Sequence, residues 1–201
     1  MDKILWLDLK KFGAYITPHD CNLTKLRYFT SRVKAFADDP DKPARQGTYL
    51  DAIYRLKPLV EITYGNYQAF QSHCRHCDND VNCAYCGKPH IKPNEKKTDV
   101  NIATYMLVDA IEDRCDVQIL VSGDGDYENL LKELRRVYSA KELIVAFPPK
   151  RKNNKLTGAT KCTFSYVIAE DAFKNSQFSD VITFKTKKGK TVTLLKPPKW
   201  A

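Results

Sequence analysis

The sequence predicts an α/β domain, with a mainly parallel sheet covered by helices on both faces. Three observations carry this. Segments rich in β-branched and apolar residues alternate with segments that are apolar at helical spacing. The segment Asp116–Val121 runs directly into a glycine-rich acidic turn and then a helix, the order of an open parallel sheet. A chain of 201 residues with 43% hydrophobic content is long enough for one full core, so a single domain over 1–201 is expected.

The elements follow in order. Asp8 to Ile16 reads as a short helix capped by Asp8, with Pro18 beyond its end, and Lys25–Arg32 reads as a strand. Asp38-Asp39-Pro40-Asp41 is a turn. From Lys42 to Leu56 the positions Tyr49, Ala52, Ile53 and Leu56 form one helical face, and Leu59–Tyr64 is the next strand. Residues 66–94 read as an irregular insertion. Thr98–Asp113 is a helix with Val100, Ala103, Leu107 and Ile111 along its apolar side. The strand ending at Val121, a helix from Asp126 to Tyr138 and the strand Glu142–Phe147 continue the alternation. A short helix is expected around Tyr166–Phe173. Val181–Phe184 and Thr191–Leu194, flanking Lys188-Gly189, then read as a C-terminal hairpin within a basic segment, 180–201.

Composition narrows the function classes. No run approaches the roughly 18 apolar residues of a membrane span, and Met1–Asp8 is too short and charged for a signal peptide. A cytoplasmic protein with no membrane role is expected. The net charge of +9 is concentrated late in the chain. Lys150, Arg151, Lys152, Lys155 and Lys161 follow one another with no acid between them, and Lys185, Lys187, Lys188, Lys190, Lys196 and Lys199 do the same after Asp180. Such a field attracts polyanions, and nucleic acid is favoured over a merely solvated surface.

The seven cysteines are not a disulfide framework, because the number is odd and the chain is not small. Cys74-x-x-Cys77 and Cys83-x-x-Cys86 place four thiols in two tight knuckles. Four thiolates close a tetrahedral zinc site with no open position for water, so a structural zinc that folds the 66–94 insertion is expected. His73, His76 and His90 rank below the sulfurs as ligands, and redox chemistry is the competing reading of each C-x-x-C.

The acidic turn is Ser122-Gly123-Asp124-Gly125-Asp126. Two carboxylates at the carboxyl end of a strand repel each other unless a cation lies between them, and a divalent ion with oxygen ligands is the usual answer. The plainer reading has Asp126 capping a helix and Asp124 in solvent. Asp99, in Glu95-Lys96-Lys97-Thr98-Asp99, opens a helix and reads equally as a helix-dipole partner.

Taken together, these motifs resemble the NYN family of PIN-like nucleases. The likeness extends to Arg27–Val33, Arg45-Gln46 with Tyr49-Leu50, Tyr64-Gly65, Ala146–Arg151, Ser176-Gln177-Phe178 and Lys196–Trp200. The resemblance implies a Rossmann-like, three-layer PIN-type domain that hydrolyses RNA with magnesium or manganese. Carried onto this chain, it implies Asp99, Asp124 and Asp126 as cation ligands, with Glu95 as a fourth acid or general base. Ser122 would position a water or a phosphate, and Arg45, Lys150, Arg151 and Lys152 would hold the RNA backbone.

One departure stands out. Family members begin with a strand ending in Asp-x-Asn, ahead of a Trp-Leu-Asp-Leu segment. Here Leu5-Trp6-Leu7-Asp8-Leu9 lies almost at the start, so the first strand and its acid are expected to be absent. Asp8 fits the helix-opening position better than that of the missing acid. The acid site is therefore expected to be impaired and the sheet edges exposed. That leaves two alternatives open: a non-catalytic RNA-binding module, and one whose exposed edge is covered by a protein partner or a second copy.

Overall fold

The computed structural model describes residues 5–35, 39–71, 91–186 and 188–200. Helix α1 (Leu9–Ile16) opens at Asp8, whose carboxylate accepts hydrogen bonds from the backbone N–H groups of Lys10 (2.9 Å) and Lys11 (3.2 Å). Asp8 is thus a buried N-cap, as its position before an apolar helical pattern suggests.

Strand β1 (Leu26–Thr30) pairs in parallel with β2 (Val60–Tyr64), and helix α2 (Lys42–Tyr54) connects them. The face of α2 picked out by its periodicity is the buried one: Tyr49, Ala52 and Ile53 pack with Val60, Trp6 and Leu9. The insertion expected to be irregular over 66–94 has regular ends. Strands β3 (Asn66–Gln71) and β4 (Ile91–Lys96) form an antiparallel ladder closed by the pair Gln71↔Ile91. Ladder pairing with a distant partner, which a local pattern does not register, organises these polar stretches. The four cysteines lie outside the described residues.

Helix α3 (Thr98–Ile111) carries two apolar stripes, and the expected one is not the one that packs. Val100 and Ile111 are 68% and 64% exposed, whereas Ile102, Met106 and Ala110 meet the core. The packed stripe contains Asp109, a charge that hides the face from a hydrophobicity count. Arg27 of β1 forms a two-pronged ion pair with Asp109, and Arg114 adds a contact at 3.2 Å, so the buried carboxylate is compensated where it sits.

Strands β5 (Val117–Val121), β6 (Glu142–Phe147) and β7 (Phe164–Val167) form a parallel sheet in that order. Helix α4 (Glu128–Val137) and α3 cover one face through Leu120, Leu131, Leu134, Val145 and Phe147. On the opposite face, α1 and α5 (Glu170–Asn175) pack through Phe12, Ala146, Ile168 and Ala172. A sheet with helices on both faces is therefore observed. The expected helix around Tyr166–Phe173 divides into β7 and α5, because Phe164-Ser165-Tyr166-Val167 suits a pleated strand and finds a free edge on β6.

Strands β8 (Val181–Lys185) and β9 (Thr191–Leu195) pair antiparallel, and Ile182 and Leu194 pack into the α2 cluster. Among the described residues, no strand pairs with the second edge of β1 or of β5, so the parallel strands remain in two sheets. Arg27 of β1 and Gln118 of β5 both reach α3, at Asp109 and at the Met106 carbonyl, so this helix ties the two sheets together. No helix among the described residues is long and apolar enough to cross a membrane.

Candidate metal and nucleic-acid site

The acidic turn leaves β5 at Val121. Ser122 Oγ accepts from the Asp124 N–H (3.1 Å), and Asp124 Oδ1 accepts from the Asp126 N–H (3.1 Å), which opens a short 3-10 turn over Gly125–Tyr127. The capping role therefore belongs to Asp124, not Asp126. Capping occupies one oxygen of Asp124, and both carboxylates stay exposed.

The turn is held from the side by the loop after β6. A Cβ built on Gly123 would lie 2.3 Å from the Arg151 carbonyl oxygen, and Asn153 Nδ2 donates to the Gly123 carbonyl at 3.1 Å. Lys150, Arg151 and Lys152 are consequently fixed beside the acids, and all three are exposed to solvent. Sequence reasoning missed Asn153. The only local signal was an Asn in a basic loop, whose role depends on a residue 30 positions away.

Asp99, in the first turn of α3, is drawn to the same place. Its Oδ1 accepts from the Tyr127 hydroxyl at 2.7 Å. Tyr127 is 3% exposed, as a core residue should be, yet its hydroxyl reaches the acids. Its pKa is pushed far up, first by burial, then by the Asp99 hydrogen bond and the charges of Asp99, Asp124 and Asp126. Of the three aspartates implied by the resemblance, Asp99 is hydrogen-bonded to this phenol, and Asp124 and Asp126 act on it by their charge from its own turn. Glu95 sits apart on β4, where Oε1 accepts from Ser31 Oγ (2.9 Å) and Thr98 Oγ1 (2.6 Å). Arg45 is not with the basic loop. It lies on α2 and is paired with Asp39.

Among the described residues, no three His, Cys, Asp or Glu side chains close a ready-made metal site. The donor set nevertheless fits a hard cation. Asp99 is bonded to the Tyr127 hydroxyl, Asp124 and Asp126 lie on the turn that carries Tyr127, and none of the three has an ion pair with a described lysine or arginine. Uncompensated acids at this density favour divalent cations with oxygen coordination, and exposed aspartate side chains can turn to meet one.

The Tyr127 phenol makes a pH prediction. A phenol whose folded pKa is raised contributes its full stability below the unfolded value, about pH 10, and loses it as pH climbs toward the folded value. Tyr127→Phe should cost about 1 kcal/mol at neutral pH, the usual worth of one hydrogen bond. It should also make the loss of stability above about pH 10 shallower. Chemical denaturation across pH measures both, and an alkaline decline as steep as the parent's would contradict the assignment.

A sequence model of the NYN domain matches residues 32–168, more than half of the chain. The chain belongs to the NYN domain family. The NYN match contains Arg45, Glu95, Asp99, Asp124, Asp126 and the Lys150–Lys152 loop, while α1, β1, β8 and β9 fall outside it. No curated protein matches the chain. Among solved structures, a protein of unknown function from Vibrio parahaemolyticus is similar at 19% identity with a TM-score of 0.50, over 82% of this chain and 80% of that one. At that identity, the likeness concerns the fold alone. Membership of the NYN family indicates a nuclease-type, PIN-like fold.

Proposed function

We propose that this chain is a metal-dependent ribonuclease domain that hydrolyses RNA phosphodiester bonds. The observation that carries the proposal is that Tyr127 joins Asp99 to the turn that bears Asp124 and Asp126, none of them ion-paired with a described lysine or arginine, in a chain of the NYN family. Magnesium or manganese held by these aspartates would supply Lewis-acid stabilisation of charge on the scissile phosphate.

The chain's own residues do the rest. Tyr127, protonated across the neutral range, fixes the Asp99 carboxylate by donating to one oxygen. Ser122 fixes the backbone of Asp124. Lys150, Arg151 and Lys152 lie on the flank of the acidic turn and place the RNA backbone against it without reading sequence. Glu95, held by Ser31 and Thr98 on β4, would have to leave these partners to act as a fourth acid or general base.

The test is incubation of single-stranded RNA with the purified chain and manganese, followed by chelator. Cleavage that requires manganese and weakens steeply with salt is expected. RNA left intact under all metal conditions, yet bound in a salt-sensitive way, would support the second reading of a binding module. That reading draws on the absence of a closed metal-ligand group among the described residues.

The proposal extends to zinc on Cys74, Cys77, Cys83 and Cys86, whose segment leaves and rejoins the fold across the Gln71↔Ile91 pair. One zinc per chain is the expected elemental analysis. Stripping it with a strong chelator should increase proteolysis within 72–90 while α3 and the parallel sheets stay protected. A protein purified without chelator that contains no zinc would refute this part.

A further inference from the structure

A second site lies away from the acids, where α2, β1 and the C-terminal segment meet. It is a cavity of about 470 Å³, within the range that holds a small molecule. Among the described residues, three aromatic rings and three cations line it: Tyr28, Tyr49 and Trp200, with Lys42, Arg45 and Lys199. The rings form corners. Tyr28 meets Tyr49 at 79°, and Tyr49 meets Trp200 at 85°. Among the described lining residues Asp39 is the one acid, and it is already paired with Arg45 and Lys199, leaving an excess of positive charge there.

The combination narrows the ligand. Aromatic corners alone would suit a quaternary ammonium group, but three cations exclude one. Cations alone would suit any phosphate, but they do not explain three rings. A flat group joined to an anion satisfies both, and a nucleotide is that combination: bases stack on aromatic side chains while their phosphates meet lysine and arginine. A hydrogen-bond path also runs from the cavity past the end of β1 to Glu95. Gln46, in the cavity wall, donates to the Ser31 carbonyl at 2.7 Å, and Ser31 Oγ donates to Glu95.

We infer that this cavity holds one unpaired nucleotide of the RNA strand, its base against Trp200 and the tyrosines and its phosphate at Lys42, Arg45 and Lys199. The inference rests on the reading that the chain acts on RNA. It gives Arg45 a role different from the basic loop's, because Arg45 grips a nucleotide remote from the scissile bond.

The chain has two tryptophans, and Trp6 is fully buried, so ligand-dependent quenching reports Trp200. Adenosine 5′-monophosphate should quench the intact chain saturably in metal-free buffer, with adenosine or inorganic phosphate weaker by about tenfold or more. Trp200→Phe should abolish the signal. Lys42→Ala, which leaves the aromatic packing alone, should weaken binding about fivefold, and a short single-stranded RNA should displace the nucleotide. Asp124→Asn should bind the nucleotide as the parent does.

No saturable quenching up to about 10 mM, which would mean a millimolar-or-weaker site, would overturn the inference. So would Lys42→Ala binding unchanged, or a bound nucleotide that RNA does not displace. Manganese-dependent cleavage without nucleotide quenching would defeat this subsite and leave the nuclease reading intact. Quenching and RNA displacement without cleavage would uphold the subsite and defeat the nuclease reading.

Discussion

Asp124→Asn should lower manganese-dependent RNA hydrolysis by about a hundredfold or more, the usual order for removing a group that stabilises charge at the reacting centre. The same change should hardly affect folding. Asp124 caps the 3-10 turn with one oxygen, and asparagine presents the same oxygen to the Asp126 N–H with nearly equal capping strength. The substitution therefore separates two accounts of one residue. If Asp124 is only a cap, activity and melting temperature both stay near the parent's. If it holds a cation, activity collapses while the melting temperature stays within a few degrees. Steady-state cleavage and thermal denaturation of the same preparation decide between them.

Gly123→Ala should do the reverse and act through structure. A methyl group there would lie 2.3 Å from the Arg151 carbonyl oxygen and 3.0 Å from its Cβ, and a backbone atom cannot step aside as a flexible side chain can. The acidic turn and the basic loop must separate. Overpacking of this kind costs about 1–3 kcal/mol, which is about 2–10 °C for a chain of this size. Hydrolysis should fall as well, because Lys150, Arg151 and Lys152 move away from the acids. Gly47 provides the contrast. It sits inside α2 with nothing within 4 Å of a new Cβ, so Gly47→Ala should stabilise by roughly 0.5–1 kcal/mol. Equal effects at the two glycines would mean that the close approach at Gly123 is not a constraint.

Much of the frame was legible because its signals are local. The β5 strand, the glycine-rich turn and α4 announce themselves within some twenty consecutive residues, and Asp8 reads as a cap from its place before an apolar helical pattern. What was misread depends on partners distant in sequence. The packed stripe of α3 was missed because Asp109 breaks its hydrophobic pattern, and only Arg27, 82 residues earlier, makes that carboxylate tolerable in the core. Strands β3 and β4 were missed because each is defined by the other across the intervening segment. Strand β7 was missed, and Tyr166 and Val167 were absorbed into a helix, because β6, whose edge the strand completes, contributes nothing to its local pattern.

The site divides in the same way. Asp99, Asp124 and Asp126 were identifiable as residues, but what links Asp99 to the turn was not, since only the fold brings the hydroxyl of the buried Tyr127 to it. Arg45 was grouped with the basic loop through the family resemblance, whereas α2 places it with Asp39 and Trp200. Asn153 carries no motif and Ser31 had no role assigned within the Arg27–Val33 segment, and only the folded backbone brings them to Gly123 and Glu95.

The account stands or falls on whether the three aspartates hold a divalent cation. Manganese is a hard ion that prefers carboxylate oxygens to the thiolates of the cysteine cluster, so its binding reports the acids. Titrating the zinc-loaded chain with manganese, and following free ion by electron paramagnetic resonance, should show one saturable site per chain. That site should weaken by about tenfold or more in both Asp99→Asn and Asp124→Asn, since each removes a charged ligand. No saturable manganese site, or one that both substitutions leave unchanged, would contradict the account.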